Sequence, residues 1–145
     1  MVMGAYYVNT GTWTVESALL ATAMGLLSAG FLHANNVRDI ETDRRQQKRT
    51  LANLFGRHAA TVEYAFLVFV PFACAVAMVL LQPATWPVLL VFIAVPTALR
   101  LTRQISTETA PVALNRIVRK SAGLHLRFGI LASAGLVLAA IVGFG

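Results

Sequence analysis

A single cysteine, Cys74, excludes an intrachain disulfide, and its place inside an apolar run marks it as a small packing residue. Acidic residues are scarce as well, six in the whole chain. Charged residues of both signs make up only 12% of the sequence, about half the share of a typical soluble domain. They are clustered, so long stretches carry almost none. With 57% apolar residues, a chain of 145 residues has far too little core to hide its hydrocarbon from water. A bilayer must act as solvent for the rest. Period-2 alternation is missing, so the spans are expected to be helices, which satisfy their own backbone polar groups in lipid. The N-terminus lacks a basic n-region and a short apolar run ending in a cleavage site, and does not read as a signal peptide.

What is present is four apolar stretches, residues 15–34, 59–81, 84–101 and 121–144, within one transmembrane helical domain covering 1–145. A spanning helix takes ~20 residues, so the third is near the lower limit, and Pro87 and Pro96 interrupt it. Pro71 and Pro96 are expected to kink their helices. Residues 81–84 form an uncharged hairpin, whereas residues 35–58 and 102–120 read as charged loops. The net charge of +6 could point to nucleic acid, but the location of the cations decides otherwise. All but Arg127 lie in or beside the two charged loops, which four spans place on one membrane face. The positive-inside rule makes that face cytoplasmic, in a cell membrane, with no nucleic-acid partner. Trp13 and Trp86 then fall at the opposite interface, where indoles are enriched.

The first charged loop carries the chemistry. Asp39 and Asp43 are spaced i,i+4, which on a helix puts both carboxylates on one face about 6 Å apart, and Asn36 joins that face at i,i+3. Two carboxylates and an amide oxygen are hard ligands of the kind Mg²⁺ takes while it bridges to substrate phosphates. Arg38, Arg44, Arg45, Lys48 and Arg49 surround the pair, and guanidinium forks suit a diphosphate. Metal ligands interleaved with phosphate binders at the mouth of a membrane bundle imply a diphosphate substrate with a lipid tail. Glu41 points away from the pair and reads as an ion-pair partner for Arg45. A charge-rich solvated loop is the plainer reading of any one of these residues.

Residues 35–43 (Asn-Asn-Val-Arg-Asp-Ile-Glu-Thr-Asp), followed by 48–52 (Lys-Arg-Thr-Leu-Ala), resemble the second aspartate-rich motif of the UbiA superfamily of intramembrane prenyltransferases. The 1,4-dihydroxy-2-naphthoate polyprenyltransferase branch is the most similar. Residues 6–11 (Tyr-Tyr-Val-Asn-Thr-Gly) resemble that branch's Tyr-Tyr-Val-Gln-Thr-Gly, and residues 98–100 and 114–116 also sit where the family has similar ones. Gln47 departs from the pattern, standing where a glycine usually precedes the lysine.

The resemblance implies an all-α membrane protein corresponding to the C-terminal part of a nine-helix bundle, without the first aspartate-rich motif. The start of the chain, which reads as the end of a membrane segment and a turn, carries the expectation of a missing N-terminal half as partner. By the same resemblance the activity is Mg²⁺-dependent transfer from a polyprenyl diphosphate to 1,4-dihydroxy-2-naphthoate, in menaquinone biosynthesis. Asp39 and Asp43 would be the catalytic metal ligands with Asn36 assisting, and Arg38, Lys48, Arg49 and Arg127 would contact the diphosphate together with Asn36. Homogentisate or 4-hydroxybenzoate are alternative acceptors. A non-catalytic membrane protein or transporter subunit is the alternative of another class, although no acidic residue lies mid-membrane as small transporters usually require. His33 reads as a helix-end packing residue, Glu63 and His125 as weaker site candidates, and glycines 25, 30, 123, 129 and 135 with their small neighbours as close-packing positions.

Overall fold

The computed structural model describes residues 2–40 and 51–143, with residues 51–55 in backbone only. Its elements are helices α1 (Val2–Thr10), α2 (Val15–Arg38) and α3 (Leu51–Leu81), a 3₁₀ helix η1 (Pro83–Ala94), then α4 (Val95–Thr107) and α5 (Pro111–Gly143). Four spans are long and apolar enough to cross a membrane: Val15–Arg38, Gly56–Leu81, Pro83–Thr107 and Pro111–Gly143.

Local chemistry sets the ends. Gly11, at φ 69°, closes α1 with a bond from its N–H to the Tyr7 carbonyl, a left-handed cap that favours glycine. Thr14 caps α2: its Oγ1 accepts from the Ser17 N–H at 3.2 Å, and its own N–H donates to Ser17 Oγ at 3.3 Å. Tyr7 stacks on Trp13 with ring centroids 4.7 Å apart, tying α1 to the entry of α2. Trp13 and Trp86 are both exposed and lie at the same end of the bundle, where Glu16 is a charged residue and no Lys or Arg is found among the described residues.

Buried residues recur at helical spacing on every span. Ala23, Leu27, Gly30, Ala34 and Val37 line α2, and Ala60, Tyr64, Val68, Phe72, Ala75 and Met78 line α3. On α5 the stripe is Leu114, Ile117, Ser121, Leu124, Phe128, Ala132 and Gly135. Large apolar residues on the outward faces, such as Phe66, Leu80, Ile93, Leu126 and Ile130, are exposed, as lipid-facing positions should be.

The third span departs most from expectation. Val88, Val91 and Ala94 are buried at intervals of three, which makes one straight line only at three residues per turn. Pro87, inside this stretch, lacks the amide proton that a continuous α-helical ladder would use. The span runs for 25 residues, longer than the 84–101 run suggests, and the 3₁₀ stretch at ~2.0 Å rise per residue lengthens it further. The period changes at Pro96, in the first turn of α4, and Ala98, Leu101 and Ile105 continue the stripe at α-helical spacing. Pro71 sits inside continuous helix instead: the non-helical residue of α3 is Gly56, at φ 78° and ψ 177°.

Both charged segments are shorter than their composition suggests. Helix α2 runs on to Arg38, and α3 begins at Leu51. Only Glu108, Thr109 and Ala110 separate α4 from α5. Arg100, Arg103, Arg116, Arg119 and Lys120 therefore ride on the exposed faces of helices whose buried faces are apolar. In the second segment the charge density that resembles a loop belongs to helix ends.

Candidate functional site

Helix α2 ends where the motif begins. Asp39 is its C-cap residue, with its N–H donating to the Asn35 carbonyl at 3.0 Å. Arg38 grips both oxygens of that carboxylate: Nε donates to Oδ1 at 2.7 Å and Nη2 to Oδ2 at 2.6 Å. The remaining nitrogen, Nη1, donates to Oδ1 of Asn115 at 3.0 Å. One guanidinium thus joins the end of α2 to the first turns of α5, 77 residues later. Asn36 is exposed one turn before Asp39.

Two more polar contacts hold this end of the bundle together. Arg57 donates through Nη2 to the Glu108 carbonyl, tying the start of α3 to the α4–α5 turn. His33 is buried, as expected of a packing residue, and its Nε2 lies 2.8 Å from the Ala60 carbonyl. A carbonyl can only accept, so Nε2 carries the ring proton. The other nitrogen faces Glu63 at 3.5 Å, so Glu63 turns toward α2.

Deeper in the bundle Tyr64 and Ser121 meet at 2.6 Å. Ser121 Oγ also donates to the Ile117 carbonyl at 3.0 Å. A hydroxyl has one proton, so Tyr64 must be the donor of the pair.

Asp39, Arg38 and Asn36 are therefore grouped, with Asn115 added. Asp43, Lys48 and Arg49 lie outside the described residues, as do Glu41 and Arg45. Arg127 stands elsewhere, with Nη1 donating to Thr97 Oγ1 at 3.1 Å. It is 12 residues from Asn115, about 18 Å along the axis, and the two lie on opposite flanks of the buried stripe of α5. Sequence reasoning missed Asn115 as a partner of Arg38: its neighbourhood was noticed, but nothing in a sequence pairs residues so far apart. It also missed Thr97 as the partner of Arg127.

Among the described residues, no three His, Cys, Asp or Glu side chains gather as a metal site. The donors present nonetheless fit Mg²⁺ in kind, since the Asp39 carboxylate and Asn36 amide are hard oxygens one turn apart at a membrane face.

The profile of the UbiA prenyltransferase family matches residues 1–124. The chain belongs to this family of prenyltransferase enzymes. UbiA prenyltransferase domain-containing protein 1 of Mus musculus is 32% identical over 138 residues, 95% of this chain and 39% of the relative. The 1,4-dihydroxy-2-naphthoate octaprenyltransferase of Haemophilus influenzae is 30% identical over 137 residues, 94% of this chain and 44% of the relative. The enzyme of the same name from Bacillus subtilis is 26% identical over the same shares. The chain thus spans about two fifths of the length of the curated relatives it matches. No solved structure gives a significant match.

Proposed function

We propose that this chain forms the second aspartate-rich half of a Mg²⁺-dependent polyprenyltransferase, which moves a polyprenyl group from its diphosphate to 1,4-dihydroxy-2-naphthoate in menaquinone biosynthesis. The observation that carries this reading is the Arg38 fork, closed on Asp39 and braced by Asn115 in a chain of the UbiA family. The bacterial naphthoate enzymes among its relatives favour that acceptor. The charged helix ends would face the cytoplasm, and the N-terminal half of the enzyme would complete the site.

In this reading Asp39, assisted by Asn36 and by Asp43, holds Mg²⁺, which supplies charge neutralisation of the departing diphosphate. Arg38 presents a planar pair of N–H donors that suits phosphate as well as carboxylate. Asn115 limits where that fork can swing. Lys48 and Arg49 add positive charge to the leaving group.

The test is prenyl transfer in membranes holding this chain, alone and with the N-terminal half supplied in trans. Labelled polyprenyl diphosphate, Mg²⁺ and, in parallel, 1,4-dihydroxy-2-naphthoate, homogentisate and 4-hydroxybenzoate are supplied. Labelled naphthoquinone lipid is expected with both halves present. Asp39→Ala should lower it by on the order of a hundredfold or more, the scale set by losing a preplaced electrostatic group. Undiminished product from Asp39→Ala would overturn the assignment, and product only with another acceptor would replace the naphthoate.

A further inference from the structure

A groove between α4 and α5 opens on the charged side of the bundle, lined by Thr97, Arg100 and Gln104 from α4 and by Lys120, Gly123 and Arg127 from α5. It has a volume of about 290 Å³. Three cationic side chains converge there, and among the described residues no acidic one lines it. None of the three has a carboxylate partner among the described residues. All three are exposed. Like charges drawn into one groove repel, and an anion between them would relieve that repulsion. Thr97, which accepts from Arg127 at 3.1 Å, orients one guanidinium across the opening, and Gln104 adds neutral donors.

The groove is separate from the Asp39 cluster. Taking Ser121 as the centre of the buried stripe of α5, Asn115 lies about 120° to one side, and Lys120 and Arg127 lie about 100–120° to the other. The groove's own flank then turns apolar. Ala134, Leu138 and Ile141 follow Arg127 along α5 within about 40° of its direction, and all are exposed. Exposed Ile93 precedes Thr97 by one turn on the neighbouring span. A cationic groove at the membrane face that runs into an apolar track matches an amphiphile with a phosphate head.

We propose that the α4–α5 groove is an anionic phospholipid site, in which Arg100, Lys120 and Arg127 bind the headgroup phosphate and the track beyond Arg127 receives an acyl chain. Basic clefts between spans at a membrane surface are suited to such headgroups, each nearby cation adding to the attraction.

The purified full chain in neutral detergent is titrated with dioleoylphosphatidylglycerol, dioleoylphosphatidylcholine or inorganic phosphate, and bound ligand is counted by native mass spectrometry. Phosphatidylglycerol is expected to be retained well above phosphatidylcholine, with affinity falling roughly fivefold for each of Arg100→Gln, Lys120→Gln and Arg127→Gln. Arg103→Gln and Arg119→Gln, outside the groove, should leave it unchanged. Equal retention of the two lipids, or an equal loss from the outside variants, would overturn the site. Displacement of the lipid by millimolar phosphate would overturn the lipid assignment in favour of a free-anion site. A second measurement needs no variant. Acylation of Lys120 by a neutral amine reagent should slow in phosphatidylglycerol bilayers relative to phosphatidylcholine, measured against Lys48, the other lysine of the chain. No selective protection of Lys120 would count against the site.

Discussion

The two ends of the bundle are held together by different physics. At the end that carries Trp13 and Trp86, α5 meets η1 backbone to backbone: a Cβ on Gly135 would stand 2.6 Å from the Pro87 carbonyl oxygen and 2.7 Å from Val88 Cα. No side chain fits between those elements, so contact there is pure packing. At the charged end other pairs of elements are joined by polar side chains: α2 to α5 by Arg38 and Asn115, α3 to the α4–α5 turn by Arg57 and the Glu108 carbonyl, and α2 to α3 by His33 and the Ala60 carbonyl. Backbone contact tolerates no adjustment, whereas arginine and asparagine can exchange partners. The difference places close backbone packing at one end and the candidate site at the other.

Five substitutions would break or sharpen this contrast. Gly135→Val should have the largest effect on stability. Overpacking against a backbone that cannot give costs about 1–3 kcal/mol or more, read as a lower unfolding temperature in detergent. Gly123→Val, with open space where its Cβ would go, should be nearly neutral in the same assay. Comparable losses at both glycines would show that the close contact is not what holds α5 to η1.

The Tyr64–Ser121 pair in the middle of the bundle should give an asymmetric result. Ser121→Ala leaves the fully buried Tyr64 hydroxyl without its acceptor and should cost about 1–3 kcal/mol. Tyr64→Phe leaves Ser121 bonded to Ile117 and should cost about 1 kcal/mol. Equal costs would mean that the direction of the bond has been assigned wrongly.

The smallest effect on stability is expected at the charged end. Asn115→Ala removes an exposed hydrogen bond, and the protein should lose no more than about 0.5 kcal/mol. Its signature should instead be a several-fold rise in KM for the polyprenyl diphosphate, because Arg38 loses its brace. A large stability loss with unchanged KM would make Asn115 a structural tie and remove it from the site.

Much of this arrangement is legible along the chain. Hydropathy marks four spans, and the spacing of Asn36, Asp39 and Asp43 marks a candidate site, of which Asp43 lies outside the described residues. The helix ends were harder to read, because Arg100, Arg103 and Lys120 look like loop residues until the apolar stripe of Ala98, Leu101, Ile105, Leu114 and Ile117 is seen beneath them. The depth of Arg127 can be counted along a helix, but its flank and its partner Thr97 cannot be read without knowing which face of α5 is buried.

Composition and order by themselves determined that this is a membrane protein of four helical spans with its charge at one face, since transfer of side chains between water and hydrocarbon depends on residue type and run length alone. They also determined the family, through the run of residues around Asp39. Tertiary structure decided which polar groups meet: Arg38 with Asn115, Tyr64 with Ser121, and Arg127 with Thr97 in a groove of its own. It also decided that the third span is wound as a 3₁₀ helix against Gly135. Those outcomes depend on how helices rotate and pack against one another, and that rotation is fixed by the joint burial of all their faces.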